Sequence, residues 1–321
     1  MNGARHRSLG VNLFTRYHSN PIITTSEIPY PANSVFNAAA AVVEGETVLL
    51  ARVEDMRGMS HLAAFRSRDG ITNWRPDPEP TFAPQPDRHP EELWGIEDPR
   101  SVYLEELGLF GVTYTAYSRR GPQVSLALTK DFRSFDRKGS IIPPEDKNAA
   151  LFSRRIDGQW AILHRPVAVG QDANIWISFS SDLKHWGDHQ QVLECRRGSW
   201  WDSHRIGMCP PPLETPVGWL LLYHGVRNTV NGAIYRLGLA LLDLENPDRV
   251  LRRSDEWIFG PNARYEQVGD VGNVVFPCGW IFDENTGTIR LYYGAADTCI
   301  ALATARMDEV LDYILSCPQV S

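Results

Sequence analysis

An all-β fold, and within that class a five-bladed β-propeller ending in a short helix, is what this sequence implies. Strand-length runs rich in β-branched and aromatic residues recur along the chain, separated by Gly, Pro, Asn and Asp. They are Ala38–Val43 with Val48–Val53, Leu109–Tyr117, Trp160–His164, Ile175–Phe179, Trp219–His224, Tyr235–Leu242 and Ile289–Tyr293. A second pattern is a repeated acidic residue followed by an aromatic. It stands in Ser67-Arg-Asp-Gly-Ile-Thr-Asn-Trp74, Thr129-Lys-Asp-Phe-Arg-Ser-Phe135 and Ser181-Asp-Leu-Lys-His-Trp186, with a degenerate copy in Leu242-Asp-Leu-Glu-Asn-Pro247. Long amphipathic helices are missing, and only Met307–Leu315 reads as one.

Each copy of the repeat follows a strand-like run. The step from Asp69 to Asp131, Asp182 and Asp243 is about 50 to 60 residues, the span of a four-stranded blade with its loops, and that period divides the chain into five. Pattern alone also admits a β-sandwich or β-helix whose turns share Asp and aromatic residues. A propeller would aim its innermost strands at one axis, so that polar residues distant in sequence meet in one pocket. No Ser/Gly/Pro-rich or single-charge linker divides the chain, so residues 1–321 are expected to form one domain, with 1–36 an N-terminal extension packed on the propeller.

The 321 residues are 43% hydrophobic and 22% charged, an ordinary globular balance. Net charge is −7 and the basic residues are scattered, which argues against a nucleic-acid partner and favours small-molecule chemistry. Cys195, Cys209, Cys278, Cys299 and Cys317 form an odd set without CxxC spacing, so buried free thiols in a reducing compartment are expected, and no metal site. Arg5, His6 and Arg7 are not followed by an apolar signal-type stretch, and no run reaches membrane-span length; a cytoplasmic protein without a membrane partner is expected.

Chemistry concentrates first in Leu93-Trp-Gly-Ile-Glu-Asp-Pro-Arg100, where two adjacent carboxylates lie between a Gly that permits unusual backbone angles and a Pro that fixes φ. Neighbouring side chains on a strand face opposite ways, so only one of Glu97 and Asp98 is expected to face a pocket directly. Read alone, such an Asp-Pro turn is either structural or a rigid mount for one carboxyl group.

Several separated segments together resemble glycoside hydrolase family 130, the mannoside phosphorylases. They are Phe36-Asn-Ala-Ala39, Leu50-Ala-Arg-Val53, Gly95-Ile-Glu-Asp-Pro-Arg100, Lys147-Asn-Ala-Ala-Leu-Phe152, His164-Arg-Pro166, Trp200-Trp-Asp-Ser-His-Arg-Ile-Gly207, Leu222-Tyr-His-Gly225, Tyr235-Arg-Leu-Gly238 and Tyr292-Tyr-Gly-Ala-Ala-Asp297. The specificity lies in the ordered set. The resemblance implies a five-bladed propeller and inverting phosphorolysis of a β-mannoside, giving α-mannose 1-phosphate, with inorganic phosphate as co-substrate and no cofactor. It implies Asp98 as the general acid, Lys147, Arg165, His224 and Tyr235 around phosphate, and Asn37, Arg52 and Asp297 around the mannose. Ordinary inverting glycosidases need a second carboxylate to activate water, whereas phosphate is already anionic at neutral pH and calls for cations and hydrogen-bond donors instead. Relatives can carry Arg where Lys147 stands; Lys keeps the charge without the bidentate fork.

To act as an acid, Asp98 is expected to hold its proton at neutral pH through a raised pKa, and the resemblance implies that the proton passes through the mannose 3-OH. Trp94, Tyr117, Trp200 and Trp201 are candidate sugar platforms, with core packing the plainer reading of each Trp. His204 and Arg205 are candidates to face the acceptor sugar. A hydrolase on the same scaffold and a non-catalytic sugar-binding propeller are the rival functions. A β-1,4-mannooligosaccharide is the expected substrate, a β-1,2-linked mannoside the second choice, and relatives often form homo-oligomers.

Overall fold

The computed structural model describes residues 11–167, 170 and 172–320. Five antiparallel sheets follow one another around an axis. Blade 1 comprises Ser34–Val43, Glu46–Glu54, Ser60–Ser67 and Arg75–Pro76; blade 2 comprises Ile96–Leu104, Leu109–Ser118, Gly121–Thr129 and Asp136–Ile142. Blade 3 comprises Asp146–Leu151, Trp160–Pro166, Ile175–Ser180 and Gly187–Leu193. Blade 4 is built on Arg205–Met208, Gly218–Thr229, Gly232–Leu242 and Val250–Arg253, with Leu213–Thr215 added beside its second strand. Blade 5 takes Val275–Asp283, Thr288–Ala295 and Cys299–Arg306, and its outermost strand is Thr15–Arg16. The N-terminal segment therefore closes the ring, pairing Thr15 with Thr304 and Arg16 with Ala303.

The expected Asp-aromatic repeat has a structural cause. Asp69, Asp131, Asp182 and Asp243 each sit between the third and fourth strands of a blade and accept bonds from the backbone N–H groups two and three residues on. In blade 1 and blade 3 the following Trp74 and Trp186 donate their indole N–H back into the same turn. Blade 5 has no such copy, because its fourth strand comes from the other end of the chain. Its third strand runs instead into the helix Met307–Ser316, which buries Met307, Val310 and Ile314.

The apolar core is divided among the five blade interfaces. Leu49, Ala63 and Phe65 pack with Tyr292, Ile300 and Leu302 between blades 1 and 5, and Ala150, Leu163 and Ile177 with Ile206, Leu221 and Ala240 between blades 3 and 4. Sheets buried on both faces need apolar residues at consecutive positions, which is why the strands read as near-continuous apolar runs rather than clean alternations.

The first strand of each blade lies innermost, against its neighbours across the axis. Four of these strands carry a bulge near their N-terminal end, and in three of them a residue at the bulge has positive φ: Asn37 (47°), Asp98 (50°) and Asn148 (56°). Asn and Asp tolerate this left-handed geometry better than other residues with a Cβ, so one local device turns three polar side chains toward the same mouth of the ring.

Candidate active site

At that mouth lies a cavity of about 150 Å³, open to solvent and lined by side chains from all five blades. Asn37, Arg52, Asp98 and Asp297 form one half of it, from blades 1, 2 and 5. Lys147, Asn148, Arg165, Arg205, His224 and Tyr235 form the other, from blades 3 and 4, with Val271, Val274 and Phe276 as its apolar wall.

Asp98 is 4% exposed. Its Oδ1 accepts from Asn37 Nδ2 at 2.9 Å and from Arg52 Nη1 at 3.3 Å. Arg100 lies behind it, donating to the Asp98 carbonyl at 2.8 Å and to the Met208 and Cys209 carbonyls at 2.9 and 2.6 Å, which ties the acid's turn to blade 4. Arg52 is a hub for carboxylates, 3.4 Å from both Glu54 and Glu97 and 3.3 Å from Asp98, and its Nε is fixed by Ser60 Oγ at 2.8 Å. Glu97 and Asp98 do share one cation, but only Asp98 lines the cavity.

The expectation for the Asp98 proton is reversed. Burial pushes its carboxyl up, but Arg52, Lys147, Arg100 and the Asn37 amide outweigh burial and hold it below the ordinary carboxylate value. The group pushed upward is Asp297, to about 7, by burial first and then by the Asp98 charge, against the pull of Arg52. Two carboxyl groups in one polar pocket thus divide their protons: Asp98 is ionised and Asp297 is the one poised to hold a proton near neutrality.

The cationic half is built differently. Arg165, 5% exposed, is pushed down to about 10 by burial and by Arg205, while Tyr235 and Asp146 pull the other way. His224 falls well below its ordinary value, from burial and then from Arg165, Arg100, Arg205 and Lys147, so it is neutral at pH 7. Arg205 donates to the Tyr235 hydroxyl at 2.8 Å. Among the described residues no carboxylate forms a salt bridge with Lys147, Arg165 or Arg205. Gly207 makes room here, since a Cβ at that position would stand 2.6 Å from His224 Cε1 and 2.8 Å from Asn148 Nδ2.

The remaining sequence candidates are dispersed. Arg205, expected toward the acceptor, has its guanidinium in the cationic cluster, whereas His204 is exposed and bonds Asn228 at 2.8 Å outside the cavity. Tyr117 and Trp94 are exposed and face each other with ring centroids 5.7 Å apart, beside the strand that carries Asp98. Trp200 is 40% exposed, with the Arg196 guanidinium 4.2 Å from its ring. Trp201 is excluded as a platform, because it is buried, stacked on Tyr223 and bonded through its indole to the Asp255 carbonyl. Sequence reasoning gave no role to Asn148 or Arg100, although both stand in segments it singled out. The usable signal was a polar residue inside a strand bound for the core.

Comparison with known proteins finds the chain similar to mannoside phosphorylases. A family model described as β-1,4-mannooligosaccharide phosphorylase matches residues 11–316. The chain is 38% identical over 310 residues to a β-1,4-mannooligosaccharide phosphorylase of Ruminococcus albus, covering 94% of this chain and 90% of that one. It is 35% identical over 306 residues to a 1,2-β-oligomannan phosphorylase of a Thermoanaerobacter species, covering 92% and 98%. Among solved structures, the Listeria innocua β-1,2-mannobiose phosphorylase in complex with β-1,2-mannobiose superimposes with a TM-score of 0.86 at 30% identity, covering 94% of this chain and 99% of that one. A structure reported for family members that hydrolyse β-1,2-mannosidic linkages in Candida mannan superimposes with a TM-score of 0.82 at 26% identity, covering 96% and 97%.

Proposed function

Because the chain belongs to glycoside hydrolase family 130, we propose that it cleaves β-mannosides with inorganic phosphate, releasing α-mannose 1-phosphate and a shortened sugar. The observation that carries this reading is the cationic half of the cavity, where Lys147, Arg165 and Arg205 converge without a salt bridge to a carboxylate among the described residues, beside Tyr235 and a neutral His224. Such a set is costly to bury and suits a dianion, which a hydrolase has no need to bind. In the proposed reaction a phosphate oxygen attacks C1 from the face opposite the leaving group, the C1–O bond breaks, and the leaving oxygen takes a proton from Asp98 through the mannose 3-OH. Configuration at C1 inverts.

The ionised state of Asp98 sets the order of events. Phosphate adds negative charge beside Lys147, which after Arg52 is a cation that holds Asp98 down, so loading of the co-substrate favours the protonated acid. Asn37, Arg52 and Asp297 hold the mannose; short carboxylate and amide partners suit vicinal hydroxyls. We read residues 1–321 as one catalytic domain acting without a cofactor, and the five free thiols favour a reducing, cytoplasmic setting.

A β-1,4-mannooligosaccharide is the proposed substrate, in line with the matching family model and the Ruminococcus relative. The likeness to the Listeria enzyme keeps a β-1,2-mannoside as the second reading. Incubation of β-1,4- and β-1,2-mannobiose with and without phosphate tests both points. Phosphate-dependent release of α-mannose 1-phosphate is expected, and equal cleavage without phosphate rejects phosphorolysis.

A further inference from the structure

Behind the cationic half, on the opposite face of its strands, runs a buried polar chain that the proposed reaction does not use. Asp146 precedes Lys147, and His164 precedes Arg165, on two paired strands of blade 3. His164 Nδ1 lies 2.6 Å from Asp146 Oδ2, and His164 Nε2 lies 2.7 Å from Ser178 Oγ. Ser178 Oγ in turn lies 2.7 Å from Nδ1 of the exposed His189. The other Asp146 oxygen accepts the backbone N–H of Arg165 at 3.1 Å.

If each imidazole carries one proton, a single polarity satisfies every contact: His164 donates to Asp146, Ser178 to His164 and His189 to Ser178. The order carboxylate, imidazole, hydroxyl is that of a nucleophilic triad, but Ser178 is completely buried in the third strand and no substrate reaches its oxygen. A role through neighbours is what the positions allow. Asp146 and His164 are 3% exposed, and each is followed in sequence by a cation that lines the cavity. Asp146 also holds the backbone of Arg165 directly, and it is a negative charge close enough to favour the charged form of that guanidinium. Its two oxygens are occupied by His164 and by a backbone N–H, which leaves the Arg165 side chain unclaimed by its nearby carboxylate.

We propose that Asp146, held by His164 and Ser178, is a positioning residue for the anion: a buried counter-charge that sets the place of Arg165 and Lys147 without consuming their donors. This rests on the phosphate-site reading of the cationic half. His164 is expected to matter because a hydrogen bond to a buried charge, once removed, leaves that charge uncompensated.

The test is steady-state kinetics of His164→Ala, His164→Asn and Ser178→Ala in the full chain, with phosphate and mannobiose varied separately, alongside thermal melts. His164→Ala is expected to raise KM for phosphate about tenfold while KM for the mannoside moves less than about twofold. His164→Asn, whose amide N–H can replace the Nδ1 donor, recovers most of that loss, and Ser178→Ala shows a smaller rise with the same selectivity. Equal changes in both KM values, no change in either, or an Asn variant as impaired as Ala would overturn the proposal. If His164→Ala does not fold, Asn against Ser178→Ala still reads the same selectivity. Should wild type cleave equally without phosphate, the phosphorylase reading fails first. Phosphate-dependent wild type with an indifferent His164→Ala sinks the positioning role alone.

Discussion

The two halves of the cavity solve opposite electrostatic problems with the same strand geometry. On blades 1, 2 and 5 one guanidinium, Arg52, is surrounded by Glu54, Glu97, Asp98 and Asp297, and burial lowers its pKa less than those carboxylates raise it. On blades 3 and 4 cations crowd together, and burial with mutual repulsion lowers Arg165 and His224. The acidic half offers acceptors and a titrating carboxyl group, fitting a neutral polyol. The cationic half offers side-chain donors that no carboxylate takes up in a salt bridge among the described residues, fitting an anion. The lesson is that a propeller can give one cavity two halves of opposite charge simply by drawing them from different blades.

The sharpest break in this division would come from the acid. Asp98→Asn keeps the hydrogen-bonding shape and removes the proton, so kcat for mannose 1-phosphate release should fall by about 10³-fold with mannoside binding retained; unchanged turnover removes Asp98 from the chemistry. Next in size is Arg165→Ala, expected to raise KM for phosphate by about 10²-fold and to leave KM for the mannoside nearly alone. Parallel changes in both would merge the two halves into one.

Asp297 sharpens the contrast through pH. Its folded pKa, about 7, lies above the ordinary carboxylate value, so its stabilising contribution is full below pH ~4 and is lost as pH rises through 7. Asp297→Asn cannot ionise and should therefore gain on wild type between pH 5 and 8, by on the order of 2 kcal/mol in denaturant titrations. A gap that does not widen with pH means the carboxyl is not the buried acid described above. The smallest effect is expected at the rim, where Trp94→Ala should raise KM for longer mannosides by about threefold while phosphate is unaffected; a larger change in phosphate KM would remove the Trp94–Tyr117 pair from the sugar side.

Much of this architecture was legible because propeller blades repeat. The Asp69, Asp131, Asp182 and Asp243 turns are local hydrogen-bond devices, and their period reports the blade directly. What stayed hidden depended on tertiary geometry. A bulge is invisible to a pattern of alternation, so Asn148 read as one residue in a motif rather than as a cavity wall matching Asn37 and Asp98. The place of Arg205 beside Tyr235 was hidden because its blade's rotation about the axis is not written locally. The lowered Asp98 pKa was hidden for the same reason: Arg52, Lys147 and Arg100 act on it through space.

The pairing of Thr15–Arg16 with Cys299–Arg306 has a consequence for biosynthesis. A ribosome delivers the first of these partners nearly three hundred residues before the second, so blades 1 to 4 can assemble during translation while the edge of the last sheet waits for Cys299–Arg306 to emerge. Because Asp98 and the cation cluster come from blades 2 to 4 and Asp297 from blade 5, the lining of the cavity is assembled only when the last blade joins the ring.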